Sequence, residues 1–272
     1  MSEFNDASPE FLDTEVLSDH PQFASTLAHG LAVLGCFAGA GTTLGNKDIA
    51  ERLGMTRPTV SRLTFTLMGL GYLRRDRSGK YSLGLAVLTL GYPLLSQMTI
   101  RQMAAPEMME LAQYARGPVS IGTRDRLQVV YVETVQGREV SSNKPDIGST
   151  RPFLRSAIGR ALLYALDPRE RTMVLERLRE AQPDDWAKYR VPMELAQRQI
   201  AEQGFCVVEG EWSPSYSGVG VPLRQPVHGM PMALNLTVPA YATDREHLEK
   251  NLGPRLVSLV RNIESKLGSE AA

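Results

Sequence analysis

Apolar residues recur with a helical period in the first part of the chain and predict helices there. The first helix starts near Pro21 and ends at the glycine-rich breaker stretch 39–45. Its apolar positions are Phe23, Leu27, Leu31, Leu34 and Phe37. In the second helix Ile49 and Leu53 share one face, and Gly54 supplies the C-terminal stop.

A third helix is predicted to begin at Thr56, whose hydroxyl suits an N-cap. Pro58 falls in its first turn, where the missing N–H costs nothing. Val60, Leu63 and Leu67 are expected to point inward. The outward face then carries Arg57, Thr59, Ser61, Arg62 and Thr64. Two helices joined by a glycine-containing turn, the second with arginines and hydroxyls on its free face, form a helix-turn-helix pattern.

A hairpin and then an apolar helix follow the third helix. Residues 72–76 and 81–83 are predicted strands around a Ser-Gly turn, which is the wing of a winged helix. Residues 85–97 form a connecting helix whose Leu85, Leu88 and Leu95 are available for packing against another chain.

A second, mixed α+β domain is predicted after this linker. It opens at Thr99, which has capping-box spacing to Gln102, and its first helix runs to Gly117. Strands are predicted at 119–123, 127–135, 205–209, 218–223 and 232–238. Further helices are predicted at 156–166, from 167 onward, at 192–203 and from 243 to near the end.

Length and composition agree with two globular domains. The chain has 272 residues, of which 43% are apolar and 22% charged. The expected division is a disordered acidic tail at 1–20, a winged helix-turn-helix at 21–84, a linker helix at 85–98 and an effector-binding domain at 99–267. Neither a membrane-length apolar run nor a signal peptide is recognisable, so the expected location is cytoplasmic, without a membrane partner.

The zero net charge conceals a basic island at residues 55–80, which holds six basic residues and one acid. Charged stretches are usually solvated surface, but these lie on two elements that a winged helix directs at one duplex. We therefore predict binding to double-stranded DNA, with Arg57 and Arg62 at guanine edges and the hydroxyls at phosphates or bases. The wing residues expected at phosphates are Arg74, Arg75, Arg77 and Lys80.

Other chemistry finds little support in the sequence. Cys36 and Cys206 are isolated and the four histidines are scattered, so no metal site is predicted. The glycines at 39–45 follow a helix rather than a strand and are expected to be a plain loop. No nucleophile signature is present, so neither catalytic residues nor a cofactor are predicted.

Several motifs together resemble the isocitrate lyase regulator (IclR) family of bacterial transcription factors. They are 46–54 (NKDIAERLG), 56–63 (TRPTVSRL), 71–76 (GYLRRD), 80–85 (KYSLGL), 155–163 (RSAIGRALL) and 200–205 (IAEQGF). The resemblance spans roughly residues 23–267 in the same order. It implies a winged helix-turn-helix, a linker helix and a GAF-like effector-binding domain, with homodimers or homotetramers on palindromic operators and a small-molecule effector.

The resemblance also implies positions for an effector pocket. Carried over by motif, they are Ala157 and Ile158 (backbone), Glu211 (acid), Asn235 and Thr237 (strand hydroxyl positions) and Val221 (a family Cys position). Val221 and Asn235 replace the Cys and a Ser of glyoxylate- and pyruvate-sensing members, and Arg155 stands where His is common. We therefore expect a different ligand, an aromatic or aliphatic carboxylate.

Two neighbouring features leave alternatives open. Arg155 is expected to pair either with a ligand carboxylate or with a structural acid such as Glu211. Trp212 and Tyr216 either stack on an aromatic effector or belong to the core. At the level of function, the alternatives are a DNA-tethered enzyme and a DNA-binding protein whose C-terminal domain only oligomerises.

Overall fold

A computed structural model describes residues 18, 20–38, 42–137 and 145–270. The predicted acidic tail, except Ser18 and His20, and residues 39–41 of the predicted glycine loop lie outside the described residues. The chain divides into two compact units, Met1–Gln97 and Met98–Ala272. In the described part, no helix is both long and apolar enough to cross a membrane.

In its described residues from Ser25 onward, the first unit contains three helices, a two-stranded hairpin and a further helix. Its elements are α1 (Ser25–Gly35), α2 (Asn46–Leu53), α3 (Arg57–Gly69), β1 (Leu73–Arg75), β2 (Tyr81–Leu83) and α4 (Ala86–Gln97). The backbone N–H of Gly45 donates to Asp48 at the start of α2, and Gly54 ends that helix at a φ of +63°. The Thr56 hydroxyl accepts from the Thr59 N–H and caps α3 as predicted.

The apolar pattern of α1 was interpreted correctly only in part. Val33 and Phe37 are buried in the core with Ile49 and Val60, which come from α2 and α3. Leu27 and Leu31, although they share the helical period, are 63% and 59% exposed. The small domain covers only one side of α1, so a wide apolar stripe leaves some of its members in solvent.

The linker helix α4 is apolar but uncovered. None of its described residues is buried, and Pro93 lies inside it. The large apolar side chains exposed on or next to it are Leu85, Leu88, Leu90, Tyr92 and Leu94, each at least 57% exposed. Five exposed large apolar residues within ten positions contrast with the singly scattered ones that are usual on a monomer.

The second unit is a six-stranded antiparallel sheet flanked by helices. Its strands, in the order β5-β4-β3-β8-β7-β6, are β3 (Val119–Asp125), β4 (Gln128–Val135), β5 (Thr150–Pro152), β6 (Cys206–Glu209), β7 (Tyr216–Pro222) and β8 (Met232–Pro239). Its helices are α5 (Ile100–Ala115), α6 (Ala157–Ala165), α7 (Pro168–Ala181), α8 (Pro183–Gln203), α9 (Arg245–His247) and α10 (Gly253–Glu270), with a π-helical turn, Leu248–Leu252, between the last two. The α+β class is as predicted.

Helices cover the sheet from two sides. The helix α6 packs on β7 and β8, while α10 packs on the same strands and also on α5. Gly220 makes the close approach of α6 possible, because a Cβ there would lie 2.2 Å from the carbonyl oxygen of Ala157. The first turn of α6 therefore sits directly on the backbone of β7.

Two sequence predictions for this unit need correction, and one strand was missed. Thr99 has helical backbone angles and makes no side-chain cap, so the predicted capping box is wrong. The helix predicted at 192–203 begins nine residues earlier, at Pro183, and contains Pro192 in its interior. The short strand β5, which pairs with β4 at the sheet edge, was not predicted.

Candidate functional site

The free face of α3 is the first candidate site. Arg57, Ser61 and Arg62 are exposed, as the sequence predicted. Thr59 is half-buried, and its hydroxyl lies 2.9 Å from that of Thr56 at the cap. The helix carries no acidic residue, so the face is positively charged.

Thr64 does not belong to this face, and its predicted outward orientation is wrong. Its side chain is fully buried. The hydroxyl donates to the Ser61 carbonyl at 3.2 Å and to the Asn46 side chain at 3.4 Å. Asn46 opens α2, so this hydrogen bond ties the two helices of the helix-turn-helix together. A buried threonine satisfied by the preceding turn cannot be distinguished from an exposed one by its residue type.

The wing is organised by Asp76. Its carboxylate accepts hydrogen bonds from the Ser78 hydroxyl (2.7 Å), the Ser78 N–H (2.9 Å) and the Lys80 N–H (2.9 Å). These bonds, the Ser78 hydroxyl first among them, hold the pKa of Asp76 below its ordinary value. The turn is therefore fixed around a carboxylate that stays ionised.

The four basic wing residues fall into two pairs: two bond within the hairpin, and two are exposed at its tip. Arg74 donates to the Ser82 hydroxyl at 2.9 Å across the hairpin. Arg75 donates to the Gly79 carbonyl at 3.1 Å, and its guanidinium lies 5.6 Å from the ring centre of Tyr81. Arg77 and Lys80 are exposed at the tip of the wing.

The second candidate site is a small cavity of about 40 Å³ between the start of α6 and the sheet. It is lined by Tyr131, Arg151, Ser156, Ala157, Val208, Trp212, Tyr216, Ser217, Gly218, Asn235 and Thr237. Ser156 caps α6 by accepting from the Gly159 N–H at 3.1 Å. The first N–H groups of a helix have no intrahelical acceptor, so this end of the cavity favours negative charge.

Two buried polar side chains face the cavity. Asn235 is only 4% exposed and donates to the Thr237 hydroxyl at 2.9 Å, which confirms that these residues share a face of one strand. The Asn235 side-chain oxygen is buried and has no hydrogen-bond partner among the described residues. Burial raises the pKa of the Tyr131 hydroxyl, although the Arg151 cation opposes the rise. Tyr131 is therefore a neutral donor.

Arg151 is the cation of the cavity. Its guanidinium carbon lies 4.9 Å from the ring centre of Tyr131 and 4.2 Å from that of Trp212. One guanidinium N–H donates to the Thr150 carbonyl at 2.7 Å. Sequence reasoning missed Arg151 because its strand, β5, was not recognised. Trp212 and Tyr216 both line the cavity, with ring centres 6.3 Å apart.

Arg155, which was expected among the effector-binding residues, does not line this cavity. Its Nε is 3.3 Å from the Asp185 carboxylate, an ion-pair distance without hydrogen-bond geometry. Glu211 instead pairs with Arg160, which is 2% exposed and donates through both terminal nitrogens, one of them at 3.0 Å. Of the two alternatives for Arg155, the structure shows the pairing with a structural acid, but that acid is Asp185 rather than Glu211. Glu211 pairs with the buried Arg160, whose charge would cost far more without a partner than that of the half-exposed Arg155.

Val221, expected among the pocket positions, does not line this cavity. It pairs with Leu234 across β7 and β8, whereas Gly220 pairs with Asn235. Adjacent residues of a strand point to opposite faces, so Val221 lies on the far side of the sheet from Asn235. Gly218, opposite Thr237, holds the corresponding place in the cavity. Ala157 lines the cavity; Ile158 does not, and it is buried against Gly122.

A basic winged helix-turn-helix, in one chain with an α+β domain, defines a DNA-binding transcriptional regulator. Family models agree in both halves: "IclR helix-turn-helix domain" matches residues 26–77, and "Bacterial transcriptional regulator IclR C-terminal" matches residues 93–265. The chain belongs to the IclR family of bacterial transcriptional regulators, as its motifs indicated.

Known proteins are similar along nearly the whole chain. The HTH-type transcriptional regulator TsaQ1/TsaQ2 of Comamonas testosteroni is 32% identical over 89% of this chain and 88% of its own. The crystal structure of an IclR family transcriptional regulator from Brucella abortus is 42% identical, with a TM-score of 0.79 over 96% of this chain and 99% of that one. An IclR homologue from Microbacterium hydrocarbonoxydans complexed with 4-hydroxybenzoate, 22% identical, shares the fold with a TM-score of 0.70 over 90% of this chain and 99% of that one.

Proposed function

We propose that this regulator binds specific DNA sequences and that a small aromatic acid, held in the cavity beside α6, changes its DNA affinity. The observation that carries the effector half of the proposal is the Asn235 oxygen, which is buried and has no hydrogen-bond partner in the described part of the chain; it lies in the cavity that Arg151 also lines. A buried acceptor without a donor is costly, and a ligand hydroxyl would satisfy it.

In the DNA-binding part of the proposal, helix α3 and the wing contact different parts of the duplex. Arg57 and Arg62 read base edges in the major groove, since they are exposed on the acid-free face of α3. Arg77 and Lys80 contact phosphates from the wing tip. Arg74 and Arg75 bond within the hairpin, so they mainly hold its shape.

The cavity chemistry favours a ring that bears a carboxylate and a hydroxyl. Arg151 and the start of α6 attract the carboxylate, and Trp212 offers a stacking surface. The homologue complexed with 4-hydroxybenzoate has a ligand with these groups, which makes that acid the first probe. A cavity of 40 Å³ has room for only a few water molecules, so the cavity must widen to admit the ligand.

The exposed leucines of α4 support a homodimer or homotetramer on a palindromic operator. One recognition helix covers too few base pairs for tight binding, and a two-fold pair of helices reads two half-sites. Because its partner is chromosomal DNA, we place the protein in the cytoplasm.

The test measures binding to a duplex selected from a random library, with and without 4-hydroxybenzoate. An affinity change of about 5- to 150-fold is expected, the range of typical allosteric coupling. Unchanged affinity with every aromatic acid tried would contradict the effector role. Consumption of the acid with turnover would favour an enzyme instead.

A further inference from the structure

A large apolar side chain occupies the centre of the DNA-facing surface of α3. Phe65 is 74% exposed, whereas Val60, Thr64 and Leu67 define the buried side of the same helix. At roughly 100° per residue, Phe65 lies about 130° from the middle of that buried side and about 60° from Arg62. It therefore points where the base-reading arginine points.

The residues around Phe65 indicate which kind of partner this surface binds. The free face of α3 also carries Ser61 and Arg62, one turn earlier, and the helix has no acidic residue. Such a face is complementary to a polyanion rather than to an ordinary protein surface. A separate apolar surface on α4 is available for self-association, so Phe65 is not needed for it.

We propose that Phe65 contacts the 5-methyl group of a thymine in the major groove and so specifies a T·A pair beside the base read by Arg62. Thymine alone among the four bases presents a methyl group there, and phenylalanine is one of the side chains that contact it. Along the helix Phe65 lies about 4.5 Å beyond Arg62, which places the thymine within one or two base pairs. This inference rests on the proposed base-reading role of Arg62.

The test replaces thymines by uracil, which removes the methyl group and leaves base pairing unchanged. The full-length protein first selects a duplex from a random library, and each thymine of the selected site is then replaced in turn. One replacement per half-site should weaken wild-type binding roughly fourfold, the value of one buried methyl group. Phe65→Ala should bind the thymine and uracil duplexes equally.

Leu70→Ala is the matched control. Leu70 is 62% exposed at the end of α3 but lies on another side of the helix, so this variant should keep the uracil sensitivity. The inference would be overturned if no uracil replacement weakened binding by the wild type. It would also be overturned if the uracil replacement weakened binding by Phe65→Ala as much as binding by the wild type. Loss of oligomers in Phe65→Ala by analytical ultracentrifugation would overturn it too. If wild type selects no sequence at all, the proposed function itself fails.

Discussion

The guanidinium of Arg151 lies over the rings of Tyr131 and Trp212, in the cavity where the buried Asn235 oxygen finds no donor among the residues that the structure describes. Two aromatic faces hold a planar cation in place without neutralising it. At the scale of single residues, this arrangement distinguishes Arg151, which we propose binds the ligand, from Arg160, which pairs with Glu211 inside the fold.

Replacing Arg151 with methionine should therefore weaken 4-hydroxybenzoate binding about 10- to 100-fold, since a hydrogen bond to a charged group contributes roughly 1.5–3 kcal/mol. Isothermal titration calorimetry measures the change. Arg155→Met is the matched control, because Arg155 pairs with Asp185 outside the cavity, and it should keep wild-type affinity. Equal losses in both variants would show that Arg151 has no special role.

Single residues also mark the limit of what the sequence predicts. The position of Asn235 and Thr237 on one face follows from strand periodicity alone, and it is confirmed. The pairing of Glu211 was not predictable, because Arg155 and Arg160 differ in burial, and burial depends on the surrounding elements. The periodicity of a sequence shows which residues share a face of a strand or helix. It does not show which of two arginines pairs with a given acid.

At the scale of elements, helix α3 and the wing should contribute differently to DNA recognition. Arg62→Ala should reduce discrimination between the selected duplex and random DNA by roughly 1–3 kcal/mol, the value of a bidentate base contact. Lys80→Ala, at the wing tip, should weaken binding to both duplexes to a similar degree. Titrations by fluorescence anisotropy at one fixed salt concentration measure both. Equal losses on the two duplexes for Arg62→Ala would show a phosphate contact only.

The presence of a helix or strand was easier to predict than the direction in which its side chains point. The Thr56 cap and the buried Val60 and Leu67 follow from spacing within one helix, and the structure confirms them. The side of the sheet on which Val221 lies depends on its register with β8, which the pattern of a single strand does not contain. The three-residue strand β5 is too short to show any period.

At the scale of the whole molecule, the exposed α4 surface predicts self-association. Leu85→Glu combined with Leu88→Glu places two charges on residues that are 82% and 63% exposed, so the change should leave the folded core intact. It should shift the protein toward single chains in analytical ultracentrifugation and abolish tight binding to a palindromic duplex.

Tyr241→Glu provides the control for that experiment. Tyr241 is 90% exposed in the second unit, away from α4 in sequence, and its replacement should leave the oligomeric state unchanged. A wild-type chain that stays monomeric at micromolar concentration while binding a single half-site tightly would contradict the proposed dimer.

Gly220 has an evolutionary consequence. Any side chain at this position would meet the Ala157 carbonyl oxygen, so the start of α6 cannot be displaced from the sheet by small steps. Arg151, Trp212 and Asn235 line the cavity with their side chains, whereas Gly220 acts through the absence of one. Under the proposed function, a substitution at Arg151, Trp212 or Asn235 would change which molecule is bound, whereas Gly220 would keep the place of binding fixed.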